Sequence, residues 1–314
     1  MATPTINDLQ AVDPVLTNLL VGYMQVDARF VASRLAPSVP VDKDSGTYYI
    51  ATKKYWFLNE MKQRAPGNSF ARGGFGVETA TYLTLQWGLE FPIPDENKAN
   101  SQLPMELQTL GLKWLANQSN IRKEISFAAD FMATSVWGTD NTTATDWDDF
   151  ASGDPVDNVL TAKRTVSNNT GYDPNTMALG YIVHQALVNH PDVLDRIKYT
   201  TQANQGNVES ALAALFGLSD YVVGKATYSN TNEAAAFSAT AIIDDDALIT
   251  YVNPGAGVFD VTALKTFAWA GGGGLGAVTP YRDQRVKSDI LQHQEQWDQK
   301  VVASDLGYFF SDIV

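Results

Sequence analysis

The chain has 314 residues, of which 45% are hydrophobic and 18% charged, and 35 acidic against 22 basic side chains give a formal net charge of −13. This composition is typical of a folded protein of about two domains and excludes a disordered chain. The acidic balance argues against a protein that contacts nucleic acid over its whole surface, because affinity for phosphate comes from Lys and Arg. The absence of cysteine excludes disulfides, thiolate zinc sites and cysteine nucleophiles.

The N-terminal region has no export or membrane signal. Residues 1–12 lack a basic segment followed by an apolar stretch, and no window approaches the ~20 apolar residues that span a bilayer. We therefore expect synthesis in the cytoplasm and no contact with a membrane. Residues 1–40 carry short apolar groups bounded by Pro37 and Pro40, which predicts an extended arm with one short helix.

The next segment has the clearest pattern in the chain. In residues 77–93 every second position carries Val, Thr, Leu, Trp, Phe or Ile, and this period of two predicts one long amphipathic strand. The stretches 47–50 and 55–58 are also strand-like, and a basic, glycine-rich stretch, 62–76, separates them from the long strand. The segment is therefore predicted to be a long hairpin.

An isolated two-stranded hairpin is at best marginally stable in water, because its apolar face has nothing to pack on. The next hundred residues contain no comparable strand. We therefore expect another copy of the chain to cover this face. Arg64 and Arg72 at the tip are further candidates for contact with a neighbour, since guanidinium groups pair bidentately with carboxylates. The candidate inter-subunit residues on the strand face are Leu83, Leu85, Trp87, Leu89 and Phe91.

A long helix is predicted after the hairpin. Ser101 and Pro104 are typical of a helix cap and first turn, and Gly138 is typical of a C-terminal stop. Between them, apolar residues are separated by sums of three and four, which predicts one amphipathic helix of roughly 50 Å. These apolar residues are Leu107, Leu110, Trp114, Ile121, Ile125, Met132 and Val136.

Strands and helices then alternate, which predicts an α/β layer with its own core. The two strands nearest its end are expected to flank an acidic turn, Asp244 to Asp246. A glycine run, Gly271 to Gly274, is predicted to be a flexible connector. The expected strands are 176–180, 221–224, 241–243 and 248–252. Three helices are expected: the first starts at Pro155, the second includes 182–188 and the third covers 210–216. Two closing strands, 285–290 and 300–310, are predicted to be joined by a turn at 293–298.

Residue types that carry catalysis are few and scattered. The aspartates near residue 140 lack the glycine and glutamate of a calcium-binding loop and indicate a solvated turn. The glycine run lacks the Lys-Ser/Thr of a phosphate loop. We therefore predict no catalytic, cofactor-binding or metal-binding residues. The groups assigned structural or solvated roles are His184, His190, His293, Asp140, Asp146, Asp148 and Asp149.

The order of elements resembles the major capsid protein of tailed double-stranded DNA bacteriophages, the Hong Kong 97 type of coat fold. The stretch from Asp173 to Gly180, with Leu187 to Pro191, resembles the start of that family's axial domain, and 299–309 resembles its return through the peripheral domain. The resemblance implies an α+β fold. It implies an N-terminal arm, 1–40, an extended loop, 41–95, a peripheral domain with a spine helix, 96–172 and 280–306, and an axial domain, 173–279 and 307–314.

The same resemblance implies a structural, non-enzymatic protein. Hexamers and pentamers of the chain would tile an icosahedral shell around packaged double-stranded DNA, without sequence-specific binding. The protein would be made in the cytoplasm of a bacterial host and located in the virion. A portal is implied. The short arm implies either a separate scaffolding protein or a built-in scaffold segment that was removed before this form. Binding of a decoration protein is left open.

The sequence leaves two alternatives open. The same fold forms the shell of bacterial encapsulin compartments, and from a different class the α/β part could be an acidic hydrolase with the hairpin as a dimerisation arm.

Some members of the family join a loop lysine to an asparagine of a neighbour, with a buried glutamate as base. Lys53, Lys54 and Lys62 lie in or near the hairpin, but their neighbours are polar and the closing strands contain no asparagine. We therefore expect a shell without covalent links.

Overall fold

The computed structural model describes residues 25, 27–51, 53–100, 104–141, 146–197, 208–231 and 236–314. Ser101 and most of the predicted arm lie outside these residues. The helices are α1 Ala32–Leu35, α2 Lys53–Trp56, α3 Asp95–Asn100, α4 Pro104–Phe131, α5 Pro155–Thr170, α6 Tyr181–Asn189, α7 Pro191–Ile197 and α8 Val208–Phe216. The strands are β1 Ser38–Val41, β2 Ser45–Ala51, β3 Val77–Leu83, β4 Leu85–Pro94, β5 Thr139–Asn141, β6 Thr176–Gly180, β7 Asp220–Gly224, β8 Thr227–Tyr228, β9 Thr240–Ala241, β10 Ala247–Thr250, β11 Leu264–Trp269, β12 Ala277–Asp283, β13 Ser288–Val301 and β14 Gly307–Phe310.

The predicted α/β layer is a five-stranded sheet in the order β5-β14-β10-β6-β7, with helices packed on it. Strand β6 covers the predicted residues and is buried along its whole length, as expected for a central strand between two covered faces. It pairs in parallel with β7 and antiparallel with β10. The core on one side of this sheet includes Trp147, Phe216 and Phe310.

A second five-stranded sheet is built around β13, which pairs with β4 on one side and with β12 and β11 on the other. The predicted turn at 293–298 is therefore wrong, because these residues lie inside a continuous strand of 14 residues. Hydrogen bonds on both sides keep this polar segment extended. The turn lies at 284–287 instead, where Lys287 adopts a left-handed φ of 46°.

The predicted long strand is divided at Thr84, so that its two halves enter different sheets. Strand β3 pairs with β2 to form the hairpin, whereas β4 pairs with β13. Thr84 is buried, and both its backbone N–H and its Oγ1 donate to the carbonyl oxygen of Asp44 at 2.8 Å. The expected strand 55–58 is also wrong, because its first two residues belong to α2 and its last two lie in no strand.

Helix α4 has the predicted start but ends at Phe131, seven residues before Gly138. Its 28 residues give a length of about 42 Å. Ser135 takes a left-handed φ of 67°, which ends the helical path, and its backbone N–H donates to the Asp140 carboxylate. Trp137 Nε1 donates to the Phe131 carbonyl oxygen at 2.8 Å. The predicted helical residues Met132 and Val136 therefore belong to a hydrogen-bonded turn.

Two strands do not pair within the domain that the resemblance assigns to them. Strand β11 falls in the expected axial range but pairs with β13, and β5 falls in the expected peripheral range but pairs with β14. The expected connector at Gly271 to Gly274 forms a hydrogen-bonded turn, in which Gln296 N donates to Gly274 O at 2.9 Å. In the described part of the chain, no helix is long and apolar enough to cross a membrane.

Candidate inter-subunit surface

The end of the hairpin, residues 53–76 (the hairpin tip), is a solvent-exposed surface rich in aromatic side chains. Within it, Met61 is 94% exposed and Phe70 is 74% exposed. Five basic side chains and one acidic side chain give the tip a positive charge in an otherwise acidic protein. Contiguous exposed apolar groups of this kind mark interaction surfaces. The other large apolar side chains exposed in the tip are Tyr55, Trp56, Phe57, Leu58 and Phe75.

The two arginines predicted as contacts both lie in this tip. The Arg64 guanidinium stands 4.3 Å from the centroid of the Phe70 ring. Neither Arg64 nor Arg72 forms an ion pair with another described residue, and both are exposed. The single chain thus leaves their hydrogen-bonding groups available to a neighbour.

The five apolar residues predicted on the strand face divide into two groups. Leu83 is 57% and Leu85 53% exposed. Trp87, Leu89 and Phe91 are half-buried against the same chain. The chain itself therefore covers part of this face at the last three residues, and contact of these residues with another copy stays a prediction.

The internal cover of β4 comes from β13 and α4, which are distant in sequence. The Trp87 ring stacks on Trp297 with centroids 5.9 Å apart, and the Arg122 guanidinium lies 3.9 Å from the Trp87 ring. Phe91 packs on Trp114 at 5.7 Å. Of the five predicted residues, Leu83 at the end of β3 and Leu85 at the start of β4 therefore remain exposed.

Beneath this face, a buried carboxylate, Glu295 on β13, joins the sheet to α4. Its Oε1 accepts hydrogen bonds from Ser119 Oγ at 2.5 Å, Lys123 Nζ at 2.9 Å and His293 Nε2 at 3.0 Å, and its Oε2 accepts from Trp297 Nε1 at 3.0 Å. Burial alone would raise the pKa of Glu295, but the hydrogen bonds from His293 and Ser119 and the charge of Lys123 lower it to about 2.

This network is structural in its geometry. Ser119 and His293 both donate to the same oxygen, and no hydrogen bond joins them to each other within the described residues, so they do not form a nucleophile–base pair. Sequence reasoning missed Glu295 because it placed 293–298 in a turn. A charged residue on the same strand face as Trp297 would have indicated the network if this segment had been interpreted as a strand.

The other titratable residues singled out in the sequence lie apart from this surface. His184 Nδ1 is 3.0 Å from the Tyr221 hydroxyl, and His190 is buried beside Phe150. The acidic turn brings carboxylate oxygens of Asp245, Asp246 and Asp312 within 4.8 Å of one another. Burial and the neighbouring carboxylates raise the pKa of Asp246 to about 6. Exposed acidic groups commonly gather in this way without an ion.

No family model matches the chain. The chain is 26% identical over 230 residues, 73% of each protein, to the major capsid protein of Burkholderia phage BcepMu. Its structure is similar to that of a phage-related protein from Bordetella bronchiseptica, with a TM-score of 0.72 and 23% identity over 97% of this chain and 98% of that one. It is also similar to the capsid structure of cyanophage P-SCSP1u, with a TM-score of 0.57 and 12% identity over 90% and 87% of the two chains.

These comparisons confirm the resemblance that the order of elements indicated. The structural similarity covers 97% of this chain for the phage-related protein and 90% for the cyanophage capsid. The chain has the α+β Hong Kong 97 type of coat fold, the fold of the major capsid proteins of tailed bacteriophages.

Proposed function

We propose that the chain is a structural coat protein, the major capsid protein of a tailed double-stranded DNA bacteriophage. Its copies assemble as hexamers and pentamers into an icosahedral shell that encloses DNA without sequence-specific binding. The observation that carries this proposal is the similarity to a phage major capsid protein over 73% of the chain. The exposed hairpin tip supports it, because such an apolar and basic surface needs a neighbouring copy to cover it.

The same proposal gives the chain its partners and location. The protein is made in the cytoplasm of a bacterial host and resides in the virion, where the shell also carries a portal. A separate scaffolding protein is a further proposed partner in assembly. A phage capsid relative favours this function over an encapsulin shell, and the geometry of Glu295 gives no support to a hydrolase.

Assembly tests the proposal directly. The full chain is produced in bacteria, alone and together with a candidate scaffolding protein, and particles are examined by sedimentation and negative-stain microscopy. Closed polyhedral particles are expected in at least one of the two preparations. A chain that remains a monomer or a small oligomer in both preparations would contradict the proposed function.

Reversing the charge of the hairpin tip is expected to weaken the shell in a salt-dependent way. In an Arg64→Glu, Arg72→Glu variant, each lost exposed pair removes only about 0–1 kcal/mol, but the loss is repeated at every copy. Particle melting temperature should fall more in low salt than in high salt, because salt screens exposed charges. A variant with the same charge change on the turn, Arg285→Glu and Lys287→Glu, is the control. If the tip variant melts like the wild type at both salt concentrations, these arginines belong to a solvated loop and make no contact between subunits.

The shell is expected to contain no covalent links between subunits. Joining a lysine to an asparagine requires a neutral amine, which burial favours, whereas Lys53, Lys54 and Lys62 are exposed and Lys53 pairs with Asp305 at 2.7 Å. Strand β13 contains no asparagine, and its buried Glu295, with a pKa lowered to about 2, is a weak base. Particles boiled in detergent should therefore run as one band at the monomer mass of 34.2 kDa. A ladder of heavier bands would contradict this expectation.

A further inference from the structure

The loop that joins β10 to β11 contains a segment, residues 254–262 (the knob), with an apolar surface that no described part of the chain covers. Phe259 is 88% exposed, and its neighbours Val258 and Val261 are 45% and 43% exposed. An aromatic side chain with this exposure makes little contact within its own chain, and aromatic side chains are typical anchors of protein interfaces. The knob is therefore a candidate for insertion into a concave surface.

Hydrogen bonds on both sides of Phe259 hold the knob in one conformation. The Gly257 N–H donates to Asp260 Oδ2 at 2.8 Å. Lys265 of β11, only 1% exposed, donates from Nζ to the Val258 carbonyl oxygen at 2.9 Å. Because these bonds already order the backbone around Phe259, little conformational entropy is lost when the knob binds another surface.

A groove of about 440 Å³ lies where β6 and β7 end. The exposed side chains of Tyr181 and Ile182, at the start of α6, line it together with the buried side chains of Ala226 and Ile243. Its volume and its apolar lining suit a side chain of the size of phenylalanine.

The knob and the groove lie at opposite ends of the same sheet. Strands β6 and β7 are parallel and end together at Gly180 and Gly224, beside the groove. Strand β10 runs antiparallel to β6, so the chain leaves β10 for the knob at the start of β6, where Val252 is hydrogen-bonded to the Asn175 side chain at 2.8 Å. The five residues of β6 separate these ends by about 16 Å. The knob therefore does not fill the groove of its own chain, but a second copy can bring the two surfaces together.

A charged residue on each surface gives the pair complementary charges. Asp260 is exposed in the knob, and Arg29 is exposed at the groove. Neither forms an ion pair within the described part of the chain, although Asp244 also lines the groove. The other cation there, Lys225, already pairs with Glu209 at 2.8 Å. The Arg29 guanidinium is thus available to a carboxylate of a neighbouring copy, which it is suited to bind.

We propose that the knob inserts Phe259 into the groove of a second copy of the chain, beside Tyr181 and Ile182. Because the two surfaces differ and lie at opposite ends of the sheet, the contact is head-to-tail, and its repetition generates a ring if the rotation closes. This inference rests on the proposed coat function, in which rings of five and six copies are the building units. It names the surfaces through which neighbours in such a ring bind one another.

Site-directed cross-linking tests the contact, because the chain contains no cysteine and introduced cysteines are its only thiols. Val261→Cys marks the knob without removing Phe259, and Ile182→Cys marks the groove. The two single variants are produced separately and together, and the particles are treated with a short bismaleimide. Cross-linked dimers are expected only from the mixed particles, because a head-to-tail contact keeps like cysteines apart. A chain with both cysteines should give a ladder of bands that stops at the hexamer.

The contribution of Phe259 is measured in the same background. Its side chain is exposed in the single chain, so Phe259→Ser, added to both cysteine variants, should leave the melting temperature of the subunit unchanged and lower the yield of dimers about tenfold. Val286→Cys, 58% exposed on the turn at 284–287, replaces Val261→Cys as the control and should give no dimers with Ile182→Cys.

The outcomes separate this contact from the coat function. Intact shells without the mixed dimers, equal dimers from each single variant alone, or equal dimers from the Val286→Cys control would overturn the contact and leave the coat function standing. Cross-linked rings that never close into shells would support the contact and contradict the coat function.

Discussion

A Leu83→Asp, Leu85→Asp double variant is expected to fold as a single chain but to form no closed shells. Both side chains are more than half exposed in the single chain, so the substitutions remove little internal packing. If a neighbour covers them in the shell, each leucine contributes about 1.5–3 kcal/mol there, and aspartate adds the cost of burying a charge. Thermal unfolding of the subunit and negative-stain microscopy of the particles measure the two effects separately.

Trp87→Ala provides the matched control from the same strand. Trp87 packs on Trp297 and Arg122 of its own chain, so its truncation should lower the unfolding free energy of the isolated subunit by about 2–3 kcal/mol. Normal closed shells from the Leu83/Leu85 variant, or a loss of subunit stability as large as that of Trp87→Ala, would show that the exposed part of this face is not a contact between subunits.

The elements that depend on local sequence could be predicted. The buried strand β6 and the start of α4 at Pro104 follow from a hydrophobic run and a helix-start signal, both of which act within a few residues. The period of two in 77–93 correctly indicated extended chain. It could not show the change of sheet at Thr84, because that change depends on the carbonyl of Asp44, 40 residues away.

The exposed part of the candidate surface was also within reach of the sequence, since a basic, glycine-rich tip next to an apolar strand predicts a surface loop. The covered part of this surface could not be predicted from the sequence. Trp87 and Phe91 are covered by β13, whose polar sequence resembled a turn and whose strand conformation comes from pairing on both sides. Two buried carboxylates, Glu124 on α4 and Glu295 on β13, were missed because their partners are distant in sequence. Glu124 accepts the backbone N–H of Val31, 93 residues away, and Glu295 accepts a hydrogen bond from Ser119, 176 residues away.

Glu295→Leu is expected to cause the largest loss of stability of any single substitution considered for this chain. Leucine removes the carboxylate that accepts hydrogen bonds from Ser119, Lys123, His293 and Trp297, and it leaves the ammonium of Lys123, only 16% exposed, without its counter-charge. Breaking a buried pair by removing one partner costs about 3–5 kcal/mol. Urea unfolding of the isolated subunit measures this loss.

The same substitution at an exposed ion pair is the control. Glu209 pairs with Lys225 at 2.8 Å with its side chain 50% exposed, so Glu209→Leu should cost no more than about 1 kcal/mol. A Lys123→Met, Glu295→Leu double variant should recover part of the loss, because it removes the uncompensated charge.

The network also has a pH signature. The pKa of Glu295 lies below its ordinary value of 4.5, at about 2, so its contribution is present above pH 4.5 and is lost as the pH falls towards 2. Equal losses for Glu295→Leu and Glu209→Leu, or an acid unfolding profile that Glu295→Leu leaves unchanged, would show that the network does not join the long helix to the sheet in the way its geometry indicates.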